Sequence, residues 1–200
     1  IVYVGGSFTT MGGKTRNRLA AIDVGGSLTL WNPDADYTVS TLEIGNSIIY
    51  AGGWFNAVGG ETRNYLAAID MGGSLTSWNP NADNGVDSLA INNNTIYAGG
   101  WFSTMGGQTI NRLAAIDLNG SVASWNPNID EYINSLAVGN NNLYVGGYFT
   151  ASSTVSPFFA VYDIRDTTSP IVSDTASTTT DTTATITWTT DELASSMVRY

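Results

Sequence analysis

The tyrosine before each Gly-Gly pair stands at Tyr3, Tyr50, Tyr97 and Tyr144, so every step between copies is 47 residues. A period that constant over most of the chain makes each copy one supersecondary unit, which must bury its faces against its neighbours. Other columns keep the same step. Asn17, Asn64 and Asn111 precede RLAAID, YLAAID and RLAAID; Asp23, Asp70 and Asp117 close those runs; Trp31, Trp78 and Trp125 each open a Trp-Asn-Pro. The fourth copy keeps LYVGGYF and FFAVYDI, ends at Asp163, and has no Trp-Asn-Pro after it.

One period resolves into four extended segments. VDSLAIN (86–92) alternates and is rich in β formers. An Asn-rich turn leads to TIYAGGWF (95–102), a longer loop STMGGQTIN leads to RLAAID (112–117), and the turn LNG leads to SVASWNP (121–127). Asn-Gly and Gly-Gly between apolar runs are hairpin signals. Nothing shows a sustained helical period. Both faces of LAAID are apolar, Leu66 and Ala68 on one and Ala67 and Ile69 on the other. A strand covered on one face alternates; one covered on both does not. The expected fold is therefore all-β: a β-propeller of four-stranded blades with a 47-residue repeat, a dimension that suits one blade. The segments divide into blades of three, four, four and three strands, so either further blades are expected outside this sequence or the ring is closed by other means.

These residues resemble a kelch blade: apolar strand, IYxGG strand, strand ending in Asp, strand carrying Trp. A closer resemblance is to the β-propeller repeat of bacterial and archaeal surface proteins called the delta-sixty repeat. The matching residues are Gly5-Gly6-Ser7-Phe8-Thr9, Asn17-Arg18-Leu19-Ala20, Gly26-Ser27-Leu28 and Trp31-Asn32-Pro33, with Trp where that family often has Phe. The resemblance covers roughly residues 1–165. It implies a propeller on a secreted or cell-surface protein and assigns no activity.

Composition changes after Asp166. DTTSP reads as a linker (166–169) ending at Pro170, and TATITWT places Ala184, Ile186 and Trp188 on one face with threonines on the other. With Thr-Asp-Glu following and Tyr200 closing the next strand, residues 170–200 resemble the first strands of a fibronectin type III-like domain, a partial Ig-like β-sandwich that implies a spacer.

Charge limits the partners. The net charge is −10, with 17 acidic against 7 basic residues, and Lys14 is the only lysine. Nucleic acid and anionic membrane surfaces both select clustered Lys and Arg, so neither is expected. No run of about 18 apolar residues exists, so membrane insertion is not expected in this segment. There is no His and no Cys, which removes the commonest general base and all thiol chemistry.

Three sets of residues invite a chemical role. Asp34, Asp36, Asp83 and Asp130 recur in NPDADY, NPNADNG and NPNIDEY. With neighbouring Asn they offer the oxygens that Ca²⁺ takes, although Asp and Asn also favour turns by bonding their own backbone. No other cofactor is suggested. Asp23, Asp70, Asp117 and Asp163 end the third segment of each copy. A catalytic carboxylate occurs once, so these are expected to accept backbone N–H groups in the following hairpin. Trp54, Trp101 and Tyr148 follow each Gly-Gly, with Ser7 in the first copy. Aromatic faces stack on sugar rings, but large aromatics also pack between sheets; Ser7 tilts the position toward the surface.

The expected function is a non-enzymatic extracellular or cell-surface structural or adhesion protein. Its propeller would be an interaction platform for a protein or glycan, or for self-assembly. The alternative is a carbohydrate-binding, lectin-like propeller of a larger secreted protein.

Overall fold

The computed structural model describes residues 1–150 and 158–164, together with the backbone of Val172–Thr179 and Ala184–Thr190. The chain divides into two compact units, Ile1–Tyr162 and Asp163–Tyr200. Every regular element among the described residues is a β-strand, so no helix there is long and apolar enough to cross a membrane. In chain order the strands are β1 (Val2–Gly5), β2 (Thr10–Met11), β3 (Lys14–Thr15), β4 (Leu19–Ile22), β5 (Val39–Gly45), β6 (Ile48–Gly53), β7 (Ala57–Val58), β8 (Glu61–Thr62) and β9 (Leu66–Asp70). They continue with β10 (Val86–Asn92), β11 (Thr95–Gly100), β12 (Thr104–Met105), β13 (Gln108–Thr109), β14 (Leu113–Asp117), β15 (Ile133–Gly139), β16 (Asn142–Gly147) and β17 (Phe159–Asp163). In the second unit, β18 (Val172–Thr179) and β19 (Ala184–Thr190) pair antiparallel. The linker 166–169 lies outside the described residues, as does most of the expected sandwich.

Four main sheets follow one another along the first unit: β1-β4, β5-β6-β9, β10-β11-β14 and β15-β16-β17. The first-to-second-strand hairpin closes with two residues, as at Asn46-Ser47, whose φ angles of 51° and 62° are the positive pair that a tight turn matching strand twist requires.

The segment expected as a fourth strand is shorter than a strand. It meets its sheet at a single bridge, Ile22↔Leu28, Ile69↔Leu75 or Ile116↔Val122. Beyond it one backbone bond remains, as from Thr76 N–H to Ala68 O and from Ala123 N–H to Ala115 O, both at 2.9 Å. In the first two copies the Trp N–H then turns to a threonine hydroxyl, Trp31 to Thr29 and Trp78 to Thr76, both at 3.2 Å, while the third copy has Ala123 there and its segment is equally short. Trp78 then donates its indole N–H to Asp117 O of the next sheet at 2.9 Å, as Trp31 does to Asp70 O at 3.3 Å. Conversely, the loop expected after the second strand contains a small hairpin. Met105 pairs with Gln108 around Gly106-Gly107, whose φ values are 59° and 75°.

The core lies between the sheets. Leu19, Ala21 and Trp31 pack with Ile49, Ala67 and Ile69 in one cluster. Leu66, Ala68 and Trp78 pack with Leu89, Ile96 and Ile116 in the next. LAAID is thus buried on both faces, as its unbroken apolar run requires.

The Gly-Gly pairs make these seams close. A Cβ on Gly52 would stand 2.9 Å from Val86 Cγ1 of the following sheet, and one on Gly99 would stand 2.6 Å from Ile133 Cγ2. The second glycine has a different duty. Each first strand carries a register shift at its start, between Val39 and Thr41, Val86 and Ser88, and Ile133 and Ser135. This bulge drives the carbonyls of Thr38, Gly85 and Tyr132 against Gly53, Gly100 and Gly147, where any side chain would collide.

Candidate functional site

At the sheet end where each second strand finishes and each first strand begins, aromatic rings form a row. Trp54, Trp101 and Tyr148 leave the second strands immediately after the glycines and are 37%, 36% and 57% exposed. Their backbones are fixed by the bulges: Trp54 N–H donates to Thr38 O, Trp101 N–H to Gly85 O and Tyr148 N–H to Tyr132 O, at 2.8, 2.8 and 2.9 Å. From there the rings touch in sequence. Trp54 and Trp101 have centroids 6.3 Å apart. Trp101 stacks on Tyr132 at 3.8 Å, Tyr132 stacks on Tyr148 at 4.8 Å, and Phe158 meets Tyr148 edge-on at 6.2 Å.

The row is built across the seams by complementary pairs. The residue after each Gly-Gly faces the residue that precedes the next first strand. Ser7 meets Thr38 through their hydroxyls at 3.0 Å. Trp54 covers Gly85, where an added Cβ would be 2.6 Å from the indole. Trp101 stacks on Tyr132. Small meets small, large meets none, and ring meets ring. Asp87, at the bulge of β10, ties two indoles together by accepting from Trp54 Nε1 at 3.0 Å and Trp101 Nε1 at 2.8 Å. The Tyr132 hydroxyl is held above its usual pKa by burial and by the neighbouring Tyr148 and Glu131.

Arg112 supports the row from beneath, with Nη1 donating to the carbonyls of Trp101 and Phe102, both at 2.9 Å. It is one of four bulky residues, with Arg18, Tyr65 and Phe158, held at φ between 63° and 67° before the third strand. Such residues rarely adopt this conformation. Here two backbone bonds hold it: Tyr65 N–H to Phe55 O and Gly53 N–H to Tyr65 O, at 2.9 and 3.0 Å.

The aspartates of the Asn-Pro loops occupy separate places. Asp36 Oδ1 accepts the N–H groups of Asn56 and Ala57 at 2.9 and 3.1 Å. Asp83 Oδ1 accepts those of Ser103 and Thr104 at 2.8 and 3.0 Å, and its Oδ2 takes the Ser103 hydroxyl at 2.7 Å. Asp130 receives Thr150 N–H at 3.0 Å and the Thr150 hydroxyl. Asp34 sits at φ 63° with its carbonyl accepting Gly59 N–H at 2.8 Å. Burial raises the Asp83 pKa, but its hydrogen bonds outweigh that and leave the carboxyl below its usual range. Asp130 is likewise lowered, by Thr150 first. The carboxylates of Asp36, Asp83 and Asp130 each fasten the loop entering a first strand to the loop leaving the second strand of the same sheet. Among the described residues no three His, Cys, Asp or Glu side chains converge as a metal cluster.

Asp23, Asp70 and Asp117 do what their recurrence suggests. Asp70 Oδ1 accepts Gly72 and Ser74 N–H groups, both at 2.8 Å, and the other two repeat the arrangement. Sequence reasoning missed Asp87, Tyr132 and Phe158, which do not recur as types. It also missed Arg16 and Arg63, whose guanidinium groups bond Thr29 O and Thr76 O at 2.8 and 2.9 Å and brace the bridge segments. At the opposite end of the sheets, Tyr50, Trp78, Leu118 and Asn119 line a cleft of about 310 Å³.

A family model described as "Domain of unknown function (DUF5122) beta-propeller" matches residues 49–75, from β6 to the bridge at Leu75. A search of the curated proteins finds no match to the chain.

Proposed function

We propose that this chain is a non-enzymatic scaffold of an extracellular or cell-surface protein, and that the aromatic row is the face on which a partner docks. β-Propeller repeats supply its rigid body. In this reading each bridge segment counts as the outer strand of a four-stranded blade. Repeats of delta-sixty or kelch-like type occupy 1–165, and residues 170–200 open a fibronectin type III-like spacer.

The observation that carries the proposal is the row itself. Five neighbouring aromatics, of which Tyr148 and Phe158 are 57% and 60% exposed, stand on a frame fixed by bulge hydrogen bonds. Exposed apolar surface gathered in one place marks interaction sites, and aromatics dominate interface energetics.

The lectin-like alternative places a sugar against the same rings. Two facts favour a protein partner over it. Trp101 and Tyr132 cover each other's faces at 3.8 Å, and both indole N–H groups already serve Asp87, so the surfaces and donors a sugar would use are engaged within the chain.

The test replaces Trp54, Trp101 and Tyr148 by serine, the residue of the first copy. Beads carrying the wild-type chain are expected to adhere to a cell or matrix surface; beads carrying the folded triple variant are not. A glycan array that lights up for wild type alone would transfer the row to the carbohydrate reading. Equal adhesion by both would remove the row from function.

A further inference from the structure

Asn-Gly occurs twice in the chain, at Asn84-Gly85 and Asn119-Gly120, and the fold treats the two pairs differently. Asparagine is thermolabile, most of all before glycine, which has no side chain to shield its nitrogen from the neighbouring amide carbon. Asn119-Gly120 is held out of that reaction. Gly120 N–H donates to Asp117 O at 3.1 Å, and Asp117 Oδ1 takes the N–H groups on either side, from Asn119 and Ser121, both at 2.8 Å. Asn84-Gly85 is held in readiness for it. Asn84 is exposed, so water reaches its side chain. Gly85 N–H donates to Asn84 Oδ1 at 2.8 Å and to no backbone carbonyl among the described residues. Because Oδ1 is bonded to Cγ, this contact sets the nitrogen beside the carbon it would attack, and a turn about χ2 brings the two into line. The equivalent pairs of the neighbouring copies, Tyr37-Thr38 and Glu131-Tyr132, contain no asparagine.

We propose that Asn84-Gly85 is a site of self-modification in the folded protein, and that its reaction opens the aromatic row. Gly85 N loses its proton to a solvent base and forms a bond to Asn84 Cγ. The bond from Cγ to the side-chain nitrogen breaks, and that nitrogen leaves as ammonia with a proton from solvent. Water then opens the five-membered imide. Attack at Cγ breaks the new bond and leaves aspartate. Attack at the Asn84 main-chain carbonyl breaks the old peptide bond and leaves isoaspartate, with the chain running through Cβ. The sum is one water in and one ammonia out, with no change of oxidation state. Isoaspartate adds a carbon to a stretch with no slack. Asp83 is tied to Ser103 and Thr104, Gly85 O holds Trp101 N–H at 2.8 Å, and the Trp54 indole lies over Gly85 so closely that a Cβ there would stand 2.6 Å away. The lengthened chain pushes Gly85 off its place under Trp54 and parts the two tryptophans. The chemistry does not depend on what docks on the row.

The experiment ages the full 200-residue chain in mildly alkaline heavy-oxygen water, with and without urea. Peptide mass spectrometry follows each asparagine, and an isoaspartyl methyltransferase detects isoaspartate. In the folded chain Asn84 is expected to convert at least about tenfold faster than Asn119, a barrier difference of about 1.4 kcal/mol. In urea, where neither pair is held, the two rates are expected to converge. Tryptophan emission is expected to drift as Asn84 converts, and to stay constant in Asn84→Ser over the same time. The proposal is overturned if Asn119 keeps pace with Asn84 in the folded chain, if the preference for Asn84 persists in urea, or if the converted chain keeps the emission of the fresh one.

Discussion

Asp87 accepts the indole N–H of Trp101 at 2.8 Å with one carboxylate oxygen and that of Trp54 at 3.0 Å with the other. The two tryptophans belong to adjacent sheets, so one bulge residue of β10 ties its own sheet to the preceding one. Its equivalents, Ser40 and Asn134, have no such pair of indoles between them. Removing the carboxylate leaves two N–H groups to find water at a crowded surface. Asp87→Ala is expected to lower stability by about 1–2 kcal/mol and to alter tryptophan emission. Asp87→Asn, which keeps one acceptor, is expected to lose less. Denaturant unfolding followed by fluorescence measures both; an unchanged midpoint for Asp87→Ala would refute the clamp.

The glycines make a sharper test, because two chemically identical substitutions are expected to differ. A Cβ at Gly99 meets Ile133 Cγ2 at 2.6 Å, whereas at the equivalent Gly146 the nearest atom is Ser135 Cβ at 3.8 Å. Gly99→Ala is expected to cost about 1–3 kcal/mol through overpacking, and Gly146→Ala to stay within about 0.5 kcal/mol of wild type. Gly100→Ala, which confronts backbone, is expected to cost the most of the three. Equal losses at 99 and 146 would mean that seam packing is not what selects glycine.

The glycines, LAAID and the terminal aspartates were legible before any coordinates because each states a local rule that recurs: close approach, burial on two faces, a turn satisfied by its own carboxylate. The bridge segments were less legible. SVASWNP reads as an extended run, yet it meets its sheet at the single bridge Ile116↔Val122, even though Ala123 stands where the first two copies have a threonine that takes the Trp N–H. A sequence period marks extended backbone but does not say how many of its N–H groups meet a partner strand. The Asp87 clamp was hidden for another reason. It arises once, at a bulge, from a residue 33 positions from one indole and 14 from the other. The size match of Ser7 with Thr38, Trp54 with Gly85 and Trp101 with Tyr132 does stand in the sequence, but it can be seen only when those positions are known to face each other.

Calcium and the loop aspartates make a third test. Asp36, Asp83 and Asp130 each spend an oxygen on the N–H groups of the neighbouring loop, and a cation would compete with those bonds. Thermal melting in calcium and in chelator is expected to give the same midpoint. A rise with calcium that Asp83→Asn abolishes would establish a site and reassign these carboxylates.

The fourth prediction follows acid. Asp83 titrates below its usual range because hydrogen bonds from Ser103 and Thr104 outweigh burial. A carboxyl lowered in the folded state contributes stability that is fully present above the unfolded pKa, near 3.8, and is lost as pH falls through the lower folded value. The window therefore opens at about pH 5, above the ordinary carboxylate pKa, and extends downward. Asp83 is solvent-exposed, so screening keeps its share of that stability small. Asp83→Asn removes the titration and keeps one acceptor for the loop N–H groups. Its unfolding free energy is expected to fall less steeply than wild type between pH 5 and pH 2, and to match the wild-type slope near pH 7. Ser103→Ala removes only the hydroxyl donor, so its slope is expected to lie between the two. Parallel curves for all three proteins across the acid range would show that Asp83 holds its loop without any preference for the charged form.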